Sequence, residues 1–216
     1  MKVTPKQLRL YAVTDRAWAA DEDALLRQIG EAIDGGATIV QLREKHLDEG
    51  DFLREAARFV ALCRRKGAIS IINDNVEIAA QTGADGVHVG QEDLEAGRAR
   101  ALLGPDRIIG VSAHNVEEAL AAQAAGANYL GTGAAFVTGT KTDAKPISRE
   151  TIRAVTAAVD IPVVAIGGIS AGNILKLSGS GVDGVAVVSA IFGAEDPGRA
   201  TAELRELSAQ MVAAHE

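Results

Sequence analysis

Gln41, Arg43 and Lys45 occupy alternate positions in "QLREK", directly after a short apolar run. On an extended segment that spacing projects all three side chains together. Two are cations, a combination suited to phosphate or pyrophosphate oxygens. Further along, "IINDN" places Asn73 and Asp74, and "GQED" places Asp93, each just past another apolar run. Two carboxylates that leave the rest of a coordination shell open suit magnesium, which keeps water and takes phosphate oxygens. A plainer reading stands beside each: a solvated loop for 41–45, and turn or cap residues for the acids.

Other polar positions extend the pattern. Gly167 and Gly168 in "AIGGIS", and Ser189 in "VVSAIF", fall between an apolar run and the following helical stretch. Backbone N–H groups and helix dipoles meet anions at such junctions. Thr138, Gly139, Thr140 and Lys141 in "TGTK" add two hydroxyls, a flexible glycine and a cation. The stretch 131–145 is poor in large apolar residues and reads as a mobile loop closing over substrate, or as a solvated tip. His88, late in an apolar run, reads as a packing histidine with its hydrogen bonds satisfied, and His114 as turn chemistry ahead of Asn115. No Ser-His-Asp or Cys-His arrangement is suggested, and no close acid pair compels glycoside hydrolysis. The expected chemistry is therefore electrostatic. A pyrophosphate with Mg²⁺ sits on one side, a monophosphate on the other, and metal and cations neutralise the leaving group.

Positioning these residues on one rim requires a regular frame. A phrase recurs along the chain: an Ala-rich amphipathic stretch, a glycine, then a short apolar run, as in "GGATIVQL", "TGADGVHV", "AGANYLGT" and "SGVDGVAVV". The glycine closes a helix, and the apolar run is too short to be one. Unbroken apolarity points to strands buried on both faces, as in a parallel sheet. Strands are expected at 9–13, 38–42, 69–72, 85–89, 107–111, 128–132, 162–166 and 184–188. Helical stretches between them carry start signals, such as Asn115 with Glu118 in a capping box. Eight strands and eight helices in 216 residues suit an α/β fold of the (β/α)8 TIM barrel type, with an open doubly wound sheet as the competing architecture. Nothing interrupts the repeat, so residues 1–216 read as one domain. In such barrels the carboxyl ends of the strands carry the chemistry, which is where these polar residues fall.

The bulk properties are compatible with that frame. Hydrophobic residues make up 47% and aromatics only 3%, which implies an aliphatic core. The net charge of −7 disfavours non-specific nucleic-acid binding but leaves room for a local cationic cleft. The single cysteine, Cys63, excludes an intrachain disulfide and fits a reducing compartment. No apolar segment suggests a leader or membrane span, so a soluble cytoplasmic protein is expected.

Eight motifs in order, "VTD" (13–15), "VQLREK" (40–45), "IIND" (71–74), "GVHVGQED" (86–93), "IGVSAHN" (109–115), "TGTKTDA" (138–144), "VVAIGGI" (163–169) and "VAVVSAI" (185–191), closely resemble the thiamine phosphate synthase family, also called thiamine-phosphate pyrophosphorylases. The resemblance runs from about Leu10 to Ile191. It implies a transferase that couples hydroxymethylpyrimidine diphosphate to a thiazole phosphate, or its carboxylated tautomer, releasing pyrophosphate. By that resemblance the pyrimidine diphosphate is held by Gln41, Leu42, Arg43, Glu44, Lys45, Asn73, Ser112 and Lys141. Arg43, Lys45, Ser112 and Lys141 would serve catalysis. Thr138, Gly139, Thr140, Gly168, Val188 and Ser189 would hold the thiazole phosphate. Asp74 and Asp93 would bind one Mg²⁺ per subunit of a homodimer. The implied mechanism is dissociative.

One departure is visible. Where the family carries prolines in a pattern like "GPVFPT", this chain has "GAAFVT", with Ala134, Ala135 and Val137. Loss of fixed φ angles predicts a looser strand 6 loop. The rival readings are a thiazole tautomerase relative, which generally lacks the second metal aspartate, and a catalytically silent binder of thiamine-type phosphates.

Overall fold

A computed structural model of the chain describes residues 3–90, 95–139 and 146–214. Among these, eight parallel strands pair in sequence order and close on themselves: β1 (Leu10–Val13), β2 (Ile39–Leu42), β3 (Ile69–Asn73), β4 (Gly86–Val89), β5 (Ile108–Ala113), β6 (Tyr129–Gly133), β7 (Val163–Ile166) and β8 (Gly184–Val187). Closure is made by β8 against β1, with Tyr11 opposite Ala186. The fold is a (β/α)8 TIM barrel, and each strand lies within about two residues of its expected span.

The first six crossovers are helices: α1 (Glu22–Asp34), α2 (Glu49–Lys66), α3 (Val76–Thr82), α4 (Glu95–Leu103), α5 (Val116–Ala124) and α6 (Arg149–Ala158). After β8 come the single turn α7 (Ser189–Phe192) and the long α8 (Pro197–Ala213). The expected helix between β7 and β8 is reduced to a 3-10 turn, Ile174–Leu177. Gly179 and Gly181, both at positive φ, turn that crossover back before a helix can extend.

Local signals account for the helices. In α2, Asp48 caps the Asp51 amide, and Arg64, Arg65 and Lys66 complement the dipole in the last turn. Gly67 then ends the helix in the left-handed conformation, at φ 75°. Its buried stripe of Phe52, Ala56, Phe59, Val60 and Cys63 packs onto the barrel wall. Full burial of a side chain such as Phe59 contributes roughly 1.5–3 kcal/mol over leaving it exposed.

Alternation along each strand divides the core in two. Val40, Leu42, Ile72 and Leu130 face the helices, whereas Tyr11, Ile39, Ile71, Ile108 and Tyr129 fill the lumen. Each even strand is immediately preceded by a polar residue that ties the previous strand at the stability face. Thr38 Oγ1 donates to Leu10 O, Asp85 accepts from Ser70 N and Oγ, Asn128 Oδ1 accepts from Ile109 N, and Asp183 accepts from Val163 N. The recurring glycine phrases thus carry a strand clamp one or two residues after the turn. Asp85→Ala strands two donors of Ser70 and is expected to cost about 1–3 kcal/mol in a thermal or denaturant melt. Turnover per folded molecule should be unchanged, because Asp85 lies at the opposite end from the cavity described below. Among the described residues, no helix is long and apolar enough to cross a membrane.

Candidate active site

A cavity of about 610 Å³ opens at the carboxyl ends of the strands. Its polar wall starts on β2, where Gln41, Arg43 and Lys45 all line it. The intervening residues turn outward. Leu42 is wholly buried among the helix-facing side chains, and Glu44 is bonded to Arg16. Leu42 and Glu44, expected among the ligand contacts, thus direct their side chains away from the cavity, because the pleat sends alternate residues to opposite faces. The β2 end is fixed by Thr14, whose N–H donates to Gln41 O (2.9 Å) and whose Oγ1 accepts from Arg43 N (2.9 Å).

Arg16 and its acids form a strut behind this wall. The guanidinium meets Glu44 at 3.1 Å and also pairs with Glu55 of α2, both carboxylates being almost fully buried. Burial lifts the Glu55 carboxyl to about 7 against the opposing hydrogen bond from Arg16, and Glu44 adds to the rise. The strut holds Glu44 on the outer face and so keeps its neighbours Arg43 and Lys45 turned inward. Sequence reasoning missed it. The available signal was an acid, Glu55, on the apolar stripe of α2.

At the end of β3 the chain turns sharply. Asp74 has φ 61° and is the non-glycine residue with positive φ among the described residues. Asn75 N donates to Asn73 O (2.7 Å), and Asp74 N to His88 O (2.8 Å). Aspartate tolerates this backbone better than most residues, and such conformations concentrate at functional sites. The Asp74 carboxylate stands half-exposed on the rim, where its Oδ2 accepts from Lys45 Nζ (2.9 Å) and Asn73 Nδ2 (2.7 Å). An oxygen-only donor beside open space fits a magnesium that would complete its shell with water and phosphate oxygens. Asn75 behaves as a cap, accepting from Ile78 N. Asp93, the second expected ligand, lies outside the described residues, as do Thr140 and Lys141.

Across the cavity, Gly167, Gly168, Ile169, Val188 and Ser189 form the opposite wall. The two glycines adopt φ 100° and 63°. A Cβ on Gly167 would lie 2.6 Å from that of Ala134, and one on Gly168 would strike Val137 O. They are needed for the loop after β6 to rest on the loop after β7. That loop is less free at its start than expected. Gly131 to Gly133 belong to β6, while Ala135 N and Phe136 N donate to Ile166 O and Gly167 O (2.8 and 3.0 Å). Hydrogen bonds thus fix the segment that prolines would otherwise have constrained. Thr138 reaches the cavity, and Gly139 does not line it.

The floor is a row of polar groups spanning the lumen, buried at Gln41, Tyr11 and Tyr129 and part-buried at His88 and Ser112. Gln41 Nε2 donates to Tyr11 OH (2.7 Å), which lies 2.8 Å from Tyr129 OH. That hydroxyl is 2.9 Å from His88 Nδ1, and His88 Nε2 is 3.1 Å from Ser112 Oγ. Burial pushes His88 down to about 4 despite the nearby Asp74 charge, so the imidazole is neutral at neutral pH. Burial raises both tyrosines well above their ordinary value and keeps them protonated. His88 is therefore a satisfied histidine, as expected, yet it also faces the cavity. Tyr11 and Tyr129 were missed, since in an apolar strand each reads as core. His114 performs turn chemistry, with its N–H and Nδ1 both on Glu118 Oε2, so the Glu118 carboxylate serves His114 N instead of closing the box on Asn115 N.

The structure thus brings together Gln41, Arg43, Lys45, Asn73, Asp74, Ser112, Thr138, Gly168, Val188 and Ser189 around one cavity. Residues 10–191 match the family model described as thiamine monophosphate synthase. The thiamine-phosphate synthase of Clostridium acetobutylicum is 48% identical over 187 residues, covering 87% of this chain and 88% of that one. That of Methanobrevibacter smithii is 44% identical over 190 residues, covering 88% and 90%. The solved structure of thiamine phosphate pyrophosphorylase from Pyrococcus furiosus aligns with a TM-score of 0.87 and 38% identity, covering 96% of this chain and 98% of that one. Matched over most of its length by the family model and by these relatives, the chain belongs to the thiamine monophosphate synthase family.

Proposed function

We propose that this barrel joins hydroxymethylpyrimidine diphosphate to a thiazole phosphate, forming thiamine phosphate and releasing pyrophosphate. Family membership makes the chain an enzyme, a transferase of thiamine biosynthesis. The observation that carries the reading is the division of one cavity into two walls of different chemistry. Arg43, Lys45 and Asp74 face it from β2 and β3, while Gly168 and Ser189 face it from the loops after β7 and β8. The first wall suits a diphosphate and the second a monophosphate at the phosphate position usual for this fold.

In this reading Arg43 and Lys45 bind the diphosphate oxygens, and Asp74, with Asp93, would hold the magnesium. Magnesium supplies positive charge that offsets the charge developing on the leaving group. Lys45 exchanges its contact with Asp74 for one with the diphosphate, while Asn73 orients the ligand beside it. The bond from the pyrimidine methylene carbon to the diphosphate oxygen breaks, and its electron pair leaves with pyrophosphate. The lone pair of the thiazole nitrogen then forms the new carbon–nitrogen bond. Gly168, Val188, Ser189 and the Thr138 loop hold the thiazole phosphate within reach of that carbon. No general base is required, in keeping with a His88 that is neutral and engaged at both nitrogens.

The test is an omission assay. Thiamine phosphate and pyrophosphate are expected in equal amounts only when both substrates and Mg²⁺ are supplied. Conversion of a thiazole phosphate without metal, or no product at all, would contradict the reading.

A further inference from the structure

The polar row across the lumen links Gln41 on β2 to Ser112 on β5 through three side chains, and each link needs one proton donor. Gln41 Nε2 donates to Tyr11. Tyr11 then gives its own proton to Tyr129, because the hydroxyl is buried and the Tyr129 oxygen, 2.8 Å away, is the other group it bonds. Tyr129 in turn gives its proton to His88 Nδ1, which as an acceptor carries none, so the ring's proton sits on Nε2 and is given to Ser112 Oγ. Ser112 accepts from the ring and directs its own proton elsewhere. Reversing the Gln41 amide reverses every link, so that Ser112 donates to the ring instead.

We propose that Tyr11, Tyr129 and His88 are positioning residues that couple the two ends of this row, so that Gln41 acts as acceptor when Ser112 acts as donor. The coupling rests on the reading that an aminopyrimidine occupies the cavity. Such a ring carries an amine donor beside a ring-nitrogen acceptor, and the row sets the two side chains to the complementary pair. A ligand whose donor and acceptor are exchanged would have to reverse five residues together.

The barrel is shaped to hold the row. Gly110 of β5 stands where a Cβ would fall inside the Tyr129 ring, and a Cβ on Gly131 of β6 would approach His88 Cε1 to 3.2 Å. The rings are tilted against one another, with centroids 5.8 Å apart for the tyrosine pair and 5.5 Å for His88 with Tyr129.

The first measurement is independent of substrate. In ¹⁵N-histidine-labelled protein at neutral pH, His88 is expected as the Nε2–H tautomer, and an Nδ1–H tautomer would overturn the proposed direction. The Tyr129→Phe variant keeps the ring and removes the hydroxyl between His88 and Tyr11. Its His88 signal should lose the fixed tautomer. The KM for the pyrimidine diphosphate should rise about 3- to 10-fold with that for the thiazole phosphate unchanged. Tyr11→Phe breaks the row one link earlier and should shift the same KM. Equal changes in both KM values, or none in either variant, would overturn the positioning role. A wild-type protein that forms no thiamine phosphate would sink the functional reading while leaving the tautomer result intact.

Discussion

Asp74→Asn should yield a folded barrel whose turnover is reduced about 10²- to 10³-fold and no longer responds to added magnesium. The fold should survive for a local reason. Asparagine shares aspartate's tolerance of positive φ, so the turn at φ 61° is kept. The ion pair with Lys45 is lost, but both partners are about half-exposed, and pairs of that kind contribute little to stability. What disappears is the negative charge of the carboxylate proposed to hold the metal. An unchanged melting curve with collapsed, metal-insensitive kcat/KM is the expected pair of readings. Near-normal activity at limiting magnesium would show that the metal is held elsewhere.

Arg43→Ala is the second large effect. Its backbone N–H, not its side chain, makes the bond to Thr14 Oγ1, so removing the guanidinium leaves the junction of β1 and β2 intact. The loss falls on the ligand: a planar fork able to take two phosphate oxygens is replaced by a methyl group. About a 10²-fold loss of kcat/KM for the pyrimidine diphosphate is expected, with weaker inhibition by pyrophosphate. Arg43→Lys should restore only part of it, since a point charge replaces the fork. Pyrophosphate inhibition equal to that of the unaltered enzyme would remove Arg43 from the leaving-group site.

Features written in short-range alternation were legible before any coordinates. Eight apolar runs, six of them behind a glycine turn, became β1 to β8, and the spacing of Gln41, Arg43 and Lys45 became one face of β2. "IINDN" also divided as its residue types suggest, with Ile71 in the lumen, Ile72 toward the helices, Asp74 on the rim and Asn75 as a helix cap. What stayed hidden depends on closure of the barrel. Tyr11 and Tyr129 are 118 positions apart, and only the pairing of β1 with β8 around the circle brings their hydroxyls together. Arg16 and Glu55 meet only because α2 comes beside the 3-10 turn Arg16–Trp18 that follows β1. The polar starts of the even strands could have been noticed, since Thr38, Asp85, Asn128 and Asp183 recur in one phrase. Their partners lie on a neighbouring strand, however, and no local pattern names them.

The division of the cavity into two anion walls is the central claim, and a crystal structure with Mn²⁺, pyrophosphate and a thiazole phosphate tests it most directly. The anomalous signal of the metal should lie at the Asp74 carboxylate, with pyrophosphate against Arg43 and Lys45 and the thiazole phosphate against Gly168 and Ser189. A metal remote from Asp74, or pyrophosphate bound at the loops after β7 and β8, would contradict the account.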